Sequence, residues 1–498
     1  MESNLFEVLR KPSDGQSEQI FLRVPDGEPL TYSEFFKMSG RYSTALHACG
    51  VKEGDRVLVK VEKSIDALAL YLACLQSGAI YVPSNPRNTV EETEYLSQDA
   101  EPSLVVFSHG CTQSVNTRSE TLGKMNGSLT SLAESLDGTD QVTQRSGSDL
   151  AAMLYTSGTT GKPKGAMLSH RGLIANAIAL HEIWGFESED ILLHCLPIFH
   201  VHGLFVALHC SMLSASEVIF LNKFEPDTIL DHLQEATVMM GVPTHYIRLL
   251  STSRFDYDLC AHMRLFTSGS APMSTLVHEK FQRQTGHRIL ERYGMTEAGI
   301  ITSNPLLGER IPGTVGFPLP GMELRVVQDD RECGIGELGV VEIQGDHLFS
   351  GYWKQPEKTT AAFSEDGFLI TGDIGCLDEN GRLSLQGRSN DMMISGGENI
   401  YPKEIELFLE EFHGIAECAV TGLPHPDLGE AVTAFLILNG EFSESAVDQY
   451  LQSRIANYKK PKKYVIVDAL PRNAMGKIQR SKLREEYSSL FSDAENHN

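Results

Sequence analysis

Between Leu154 and His170 the chain reads LYTSGTTGKPKGAMLSH, which gathers the hydroxyls of Thr156, Ser157, Thr159 and Thr160 with the ammonium groups of Lys162 and Lys164. Hydroxyls and cations at this density are donors for an anion, and Gly158, Gly161 and Gly165 let backbone N–H groups approach phosphate oxygens closely. The chemistry implied is the cradling of a polyphosphate, as in a nucleotide enzyme. The stretch is not a GxxxxGK[ST] loop, because Lys162 is followed by Pro163 and no hydroxyl stands beside it to hold magnesium. Taken alone, a short Ser/Thr/Gly-rich loop also fits a flexible surface connection.

Other stretches with chemical content follow in order. They are LPIFHVHGLF at Leu196 to Phe205, MGVPTHYIRLL at Met240 to Leu250, LFTSGSAP at Leu265 to Pro272 and LERYGMTE at Leu290 to Glu297. TGD at Thr371 to Asp373, SGGENIYP at Ser395 to Pro402 and PRNAMGK at Pro471 to Lys477 complete the series. The HxH pair of His200 and His202 would fit a metal, but no Cys or third His lies at ligand spacing, so zinc is rejected. Together these stretches resemble the adenylate-forming superfamily of acyl-CoA synthetases, firefly-type luciferases and peptide-synthetase adenylation domains. In its closest form the chain resembles the malonyl-CoA synthetases of bacteria, over nearly its whole length.

The resemblance implies a two-step ligase. A carboxylate attacks the α-phosphorus of ATP to give an acyl-adenylate and pyrophosphate, and the thiol of coenzyme A then attacks that mixed anhydride. By resemblance, Thr156, Ser157, Gly158, Thr159, Thr160, Gly161, Lys162 and Lys164 form the phosphate loop. Gly269, Ser270 and Ala271 pack on one face of adenine, Tyr293 with Gly294 and Met295 forms the opposite wall, and Asp373 and Arg388 take the ribose hydroxyls. Lys477 stabilises the charge that develops on the α-phosphoryl oxygens and the leaving pyrophosphate. Glu297 is the magnesium carboxylate, Thr296 contacts phosphate, and His200 is an aromatic gate between the acyl and ATP pockets. In the second step the C-terminal part rotates, Lys477 leaves, and Ser395, Gly396 and Gly397 admit the pantetheine arm. The implied cofactors are ATP, Mg2+ and coenzyme A.

Substrate choice turns on Arg292. An inward guanidinium is costly in the apolar tunnel of a fatty-acyl or aryl ligase, whereas the distal carboxylate of malonate makes a charge-assisted pair with it, assisted by Ser268 and Ser270. The alternative is an Arg paired with Glu291 or another acid at the surface. His202 and Gly203 are expected at the floor of the acyl pocket. Val201 stands where close relatives often have threonine, and Ile300 where a longer methionine can sit, so methylmalonate is expected as a second substrate. Other readings are a short-chain or aryl carboxylate:CoA ligase, a luciferase-like oxygenase, a nucleotide sensor without turnover, and an adenylation domain serving a carrier protein.

These residues need elements to hold them. Ala151 to Tyr155 reads as a buried strand and Arg171 to Leu180 as a helix, which makes the Thr/Gly/Lys stretch a strand-to-helix loop. Strands at Arg56 to Val61 and Leu104 to Phe107 flank an apolar helix at Ser64 to Gln76, a βαβ pattern that predicts a doubly wound sheet. Ser108 to Ser148 is low in periodicity and its middle reads as a surface excursion. A second α/β layer is predicted over Leu192 to Phe281, and a small β-barrel from Gly313 to Leu385. The fold class is therefore α/β, with a large N-terminal domain (1–387) and a small mobile C-terminal α/β domain (388–498) joined at Gly387 to Asp391. At this junction Asn390 replaces the lysine or aspartate usual in the family.

The 498 residues exceed a single core, and a net charge of −24 excludes a nucleic-acid binder, which needs a basic face. A local cluster of Lys459, Lys460, Lys462 and Lys463 fits either the phosphates of coenzyme A or a solvated helix end. Nine cysteines without a CxxC pair fit free thiols in a reducing compartment. With no apolar run of membrane-spanning length, an acidic N-terminus unlike a leader and a C-terminal ENHN that is no peroxisomal address, a cytoplasmic location away from membranes is expected.

Overall fold

A computed structural model describes residues 4–15, 18–25, 27–111, 115–123, 126–156, 163–472 and 477–491. Short runs of Val, Leu, Ile and Tyr bounded by Gly and Asp form the first sheet. Its six strands run in the order Ser119–Leu122, Leu104–Ser108, Arg56–Lys60, Ile80–Pro83, Leu150–Thr156 and Lys164–Ser169, parallel except for the last pair. The connecting helix Ile65–Gln76 reads IDALALYLACLQ and is buried on nearly every side, so its apolar residues are continuous rather than striped. It packs on helix Tyr32–Ala48, whose first turn is fixed by a reciprocal capping box between Thr31 and Glu34.

The second sheet has nine strands. Parallel strands Ile20–Arg23, Glu217–Phe220, Ile191–His194, Val238–Gly241, Leu265–Ser268 and Leu290–Met295 form its body, antiparallel Gly299–Ser303 and Phe317–Pro318 extend one edge, and antiparallel Leu30–Thr31 closes the other. The segment expected as a small barrel is a five-stranded antiparallel sheet, in the order Arg331–Glu332, Met322–Gln328, Gly339–Gly345, Leu369–Leu377 and Leu383–Arg388. Beyond residue 392 a separate sheet is built from Glu398–Ile400, Met393–Ser395, Gly429–Leu438, Ile415–His425 and Lys463–Ile466. It has its own core, including Ile405, Leu409, Val420, Val432, Leu436 and Val447. The architecture is thus a large N-terminal α/β domain of mixed sheets and a smaller C-terminal domain.

Two local expectations are corrected. The phosphate-loop stretch does not lead directly into a helix, because strand Lys164–Ser169 pairs antiparallel with Leu150–Thr156 before helix His170–Ile183 begins. Gly165 lies inside that returning strand, where an added β-carbon would stand 2.8 Å from Met153 Sδ, so its smallness serves packing rather than phosphate approach. The region from Ser108 to Ser148 contains a strand and a helix: Ser119–Leu122 extends the first sheet, and helix Ser128–Ser135 buries Leu129 and Ala133 against helix Tyr32–Ala48. Tertiary packing supplies there what periodicity did not announce. No described helix is long and apolar enough to cross a membrane, and all nine cysteines are free thiols.

Candidate active site

The C-terminal ends of the central parallel strands converge on one region, the place where open α/β sheets present side chains to ligands. Strand Leu290–Met295 delivers Arg292 and Tyr293, and a tight turn through Thr296 and Glu297 leads to strand Gly299–Ser303 with Ile300. Gly294 is required by this hairpin, since a β-carbon would meet Gly299 O at 2.2 Å. Met295 O accepts the N–H of Ala298 across the same turn.

Arg292 is 4% exposed, and among the described residues its Nε and Nη2 have no hydrogen-bond partner. Burial pulls the guanidinium down to about 9, which still leaves it charged at neutral pH. Ser268, at the end of strand Leu265–Ser268, is equally buried, and its hydroxyl also lacks a partner among the described residues. The sequence alternative of a surface Arg paired with Glu291 is excluded by this burial. Glu291 is itself buried, its carboxyl is pushed up to about 8 chiefly by desolvation, and its Oε1 has no partner among the described residues.

Histidines surround the guanidinium. His202 opens a π-helical turn, His202–Leu208, of a kind often found at functional sites. Its Nδ1 lies 3.4 Å from Ser270 Oγ, and its basicity is held well below the ordinary value by burial and then by Arg292, His245, His194 and His200. His200 packs on Phe199 and is held near 4 by burial and by the neighbouring Lys477, so it is neutral at pH 7. Gly203 fits a close backbone crossing, where a β-carbon would stand 2.1 Å from Pro197 O. Gly269 lies directly against the Arg292 guanidinium, and Ser270 after it has left-handed backbone (φ 67°), a strained conformation common in binding loops. Ala271 continues that loop, half-buried. A cavity lined by Val201, Phe205, Thr296, Gly299, Asn176 and His347 borders the same place.

A second cluster lies beside the first. The hydroxyl of Tyr293 donates to Asp373, and Asp373 pairs with Arg388 at 3.0 Å across adjacent strands. Glu297 is buried and accepts a hydrogen bond of 2.9 Å from the hydroxyl of Tyr352. The ring of Tyr352 lies 4.2 Å beneath the ammonium of Lys164, whose strand position is opposite Thr156. Lys477 comes from the C-terminal domain into this region; burial lowers its basicity, Arg388 and Arg292 lower it further, and Asp373 and Glu297 act in the opposite sense. One buried carboxylate held by a tyrosine suits Mg2+, which takes few protein ligands and completes its shell with water and phosphate oxygens. Among the described residues no cluster of three or more His, Cys, Asp or Glu offers an all-protein metal cage.

Not every expected residue is gathered here. Ser157, Gly158, Thr159, Thr160, Gly161 and Lys162 lie outside the described residues. Ser395 is buried at the edge of the C-terminal sheet, and Gly396 and Gly397 form the exposed hairpin turn after it, with φ of 59° and 87° that favour glycine. Lys459 is paired with Glu404 at 2.6 Å and so is not an open cation for phosphate. Sequence reasoning missed Tyr352, His194 and His245. Tyr352 stands in GYW between Gly351 and Trp353, an aromatic pair after a glycine that could have marked it.

A buried tyrosine–aspartate–arginine set, the buried carboxylate of Glu297 and a lysine from the C-terminal domain meet in one region, side chains suited to holding an anionic substrate. The chain belongs to the AMP-binding enzyme family: residues 9–353 match the AMP-binding enzyme family itself and residues 404–477 its C-terminal domain. Among solved structures, ATP-bound MatB of Rhodopseudomonas palustris is 43% identical, with a TM-score of 0.95 over 99% of this chain and 100% of that one; apo MatB gives 0.83. A malonate–CoA ligase of Arabidopsis thaliana is 34% identical over 90% of this chain and 80% of its own length. A probable CoA ligase of Humulus lupulus is 39% identical over 69% of this chain, which spans 62% of that relative.

Proposed function

We propose that this enzyme joins malonate to coenzyme A through a malonyl-adenylate, releasing AMP and pyrophosphate. The observation that carries the choice of acid is Arg292: a buried, charged guanidinium whose Nε and Nη2 lack partners among the described residues. Leaving such a group desolvated and unpaired is costly, and the distal carboxylate of a short diacid removes that cost with a charge-assisted pair. Ser268 and Ser270 offer further donors, while His202 and Gly203 close the floor. Val201 and Ile300 are apolar and bound the space beside C2, so methylmalonate is the expected second substrate, one methyl being worth only ~1–3 kcal/mol of discrimination.

In this reading Arg292 anchors one carboxylate so that the other lies in line with the α-phosphorus of ATP. Asp373 and Arg388 hold the ribose, Tyr293, Gly294 and Met295 flank one face of the adenine, and Gly269 to Ala271 flank the other. Lys477 meets the charge that builds on the α-phosphoryl oxygens. Glu297 would hold a magnesium ion, which would supply positive charge toward the departing pyrophosphate, and Thr296 contacts phosphate. His200, neutral, separates the acyl and nucleotide compartments without adding charge.

For the second step we place the pivot at Asn390. Arg388 and Ser389 are tied to the large domain, through Asp373 and through the 3.1 Å bond from Ser389 Oγ to Gly372 O. Asp391 is tied to the small domain by Arg480 and Arg484. Rotation there would withdraw Lys477 and bring up Ser395, Gly396 and Gly397, where the pantetheine arm needs a thin backbone. A cytoplasmic location accords with these soluble substrates. Pyrophosphate release measured over malonate, methylmalonate, succinate, butyrate and benzoate, with and without coenzyme A, tests the assignment. Preference for a monocarboxylate would favour a short-chain or aryl ligase instead.

A further inference from the structure

Behind the acyl pocket lies a lysine that neither reaction step uses. Lys63 follows strand Arg56–Lys60, and its ammonium is enclosed where the two large sheets meet. It donates to Leu221 O at 2.6 Å, His194 O at 3.1 Å and His194 Nδ1 at 2.7 Å, and lies 4.2 Å from the centre of the Phe220 ring. The other nitrogen of His194, Nε2, stands 2.8 Å from Gly203 O. A carbonyl oxygen only accepts, so Nε2 must carry the proton, Nδ1 must be a lone pair, and Lys63 must be its donor.

We propose that Lys63 is a positioning residue of the acyl pocket, acting through His194 on the carbonyl of Gly203. The bond holds the Gly203–Leu204 peptide in the first turn of the π-helical segment that His202 opens, just where Gly203 is wedged against Pro197 O. His202 is near both His194 and Arg292, since both act on its basicity. Fixing that peptide therefore fixes the imidazole beside the guanidinium. The inference rests on the malonate reading of the pocket and adds to it a residue far from it in sequence, 131 positions before its histidine partner.

Geometry decides the tautomer, and the titration of Lys63 makes it pH-dependent. Burial pulls the ammonium down to about 7, with Cys195 acting weakly in the opposite sense, while His194 is held neutral by burial and by Lys63. The next titratable groups outward are His202 and, around it, His245, His200 and Arg292. Below about 7 the charged amine can only donate and the Nε2–H tautomer is imposed. Above it the neutral amine can also accept a hydrogen bond from the Nδ1–H tautomer, and the bond to Gly203 loses its guarantee.

The test is a double-mutant cycle with a pH series. Lys63→Met should raise the KM for malonate by roughly tenfold or more, with kcat and the KM for ATP changed less than about threefold. His194→Gln replaces the ring by an amide whose N–H needs no lysine to select it. In that background Lys63→Met should therefore add little, a non-additive pair. The parent KM for malonate should rise as pH passes the Lys63 titration, and that limb should vanish in His194→Gln. Additive losses, an equal fall in ATP affinity, or a limb that survives in His194→Gln would overturn the proposal. A parent that does not turn over malonate would instead remove the underlying substrate assignment, before any variant is made.

Discussion

The guanidinium of Arg292 rests on the α-carbon of Gly269: a β-carbon there would stand 2.3 Å from Nη1 and 2.4 Å from Cζ. The glycine at the end of the Leu265–Ser268 strand is thus shaped by the substrate-side arginine, in addition to its expected place on adenine. Gly269→Ala should displace the guanidinium and raise the KM for malonate at least about tenfold, with overpacking costing ~1–3 kcal/mol of stability. The KM for ATP should change much less. Steady-state kinetics in both substrates and a thermal melt check this, and an unchanged malonate KM would show that the arginine has room to spare.

Arg292→Leu should reverse the preference between malonate and butyrate. Removing the charge strands the distal carboxylate, a loss of ~10⁴-fold or more in kcat/KM where a site is built on one polar contact. Butyrate pays no such penalty. In the parent, burial holds the guanidinium near 9, so above the limb assigned to Lys63 malonate affinity should weaken again as pH rises through that value, when the cation is lost. A malonate-to-butyrate ratio that is unaltered in folded Arg292→Leu would remove the main reason for choosing malonate.

Lys477→Ala should separate the half-reactions. Adenylation should fall by the ~10²–10³ typical of a lost transition-state contact, while thioester formation from synthetic malonyl-adenylate should persist. Single-turnover measurements of each step decide it, because equal losses would place the lysine in both arrangements.

Tyr352→Phe removes the hydroxyl that donates to Glu297 and keeps the ring beneath Lys164, whereas Tyr352→Leu removes both. The phenylalanine variant should need several-fold more magnesium for half-maximal adenylation, with the parent KM for malonate. The leucine variant should also bind ATP more weakly. Magnesium titrations of pyrophosphate release, with fluorescence titration of nucleotide, distinguish the two.

Much of the fold and of the reaction was legible because the informative residues are grouped locally. Tyr293, Thr296 and Glu297 lie within one hairpin, and Arg292 beside them carries the substrate reading. What escaped is contact between distant segments. Lys63 sits in a charged stretch and His194 in an apolar one, 131 residues apart, and only the meeting of two sheets joins them. Strand Lys164–Ser169 was hidden because GAMLSH runs straight into a helix N-cap at Ser169, so the helix signal masked the strand before it. Helix Ser128–Ser135 has too few apolar residues to declare itself, and it is stabilised by its neighbour rather than by its own pattern.

The fastenings on either side of Asn390 bear on what kind of motion the enzyme can make. With Ser389 bonded to one body and Asp391 to the other, only a few backbone dihedrals remain unclamped between them. A swivel confined to so short a stretch favours two resting orientations over a continuum. In our reading the catalytic cycle is accordingly a toggle, turning on a few φ and ψ angles, whose two settings offer the acyl phosphate either a lysine or a passage for a thiol.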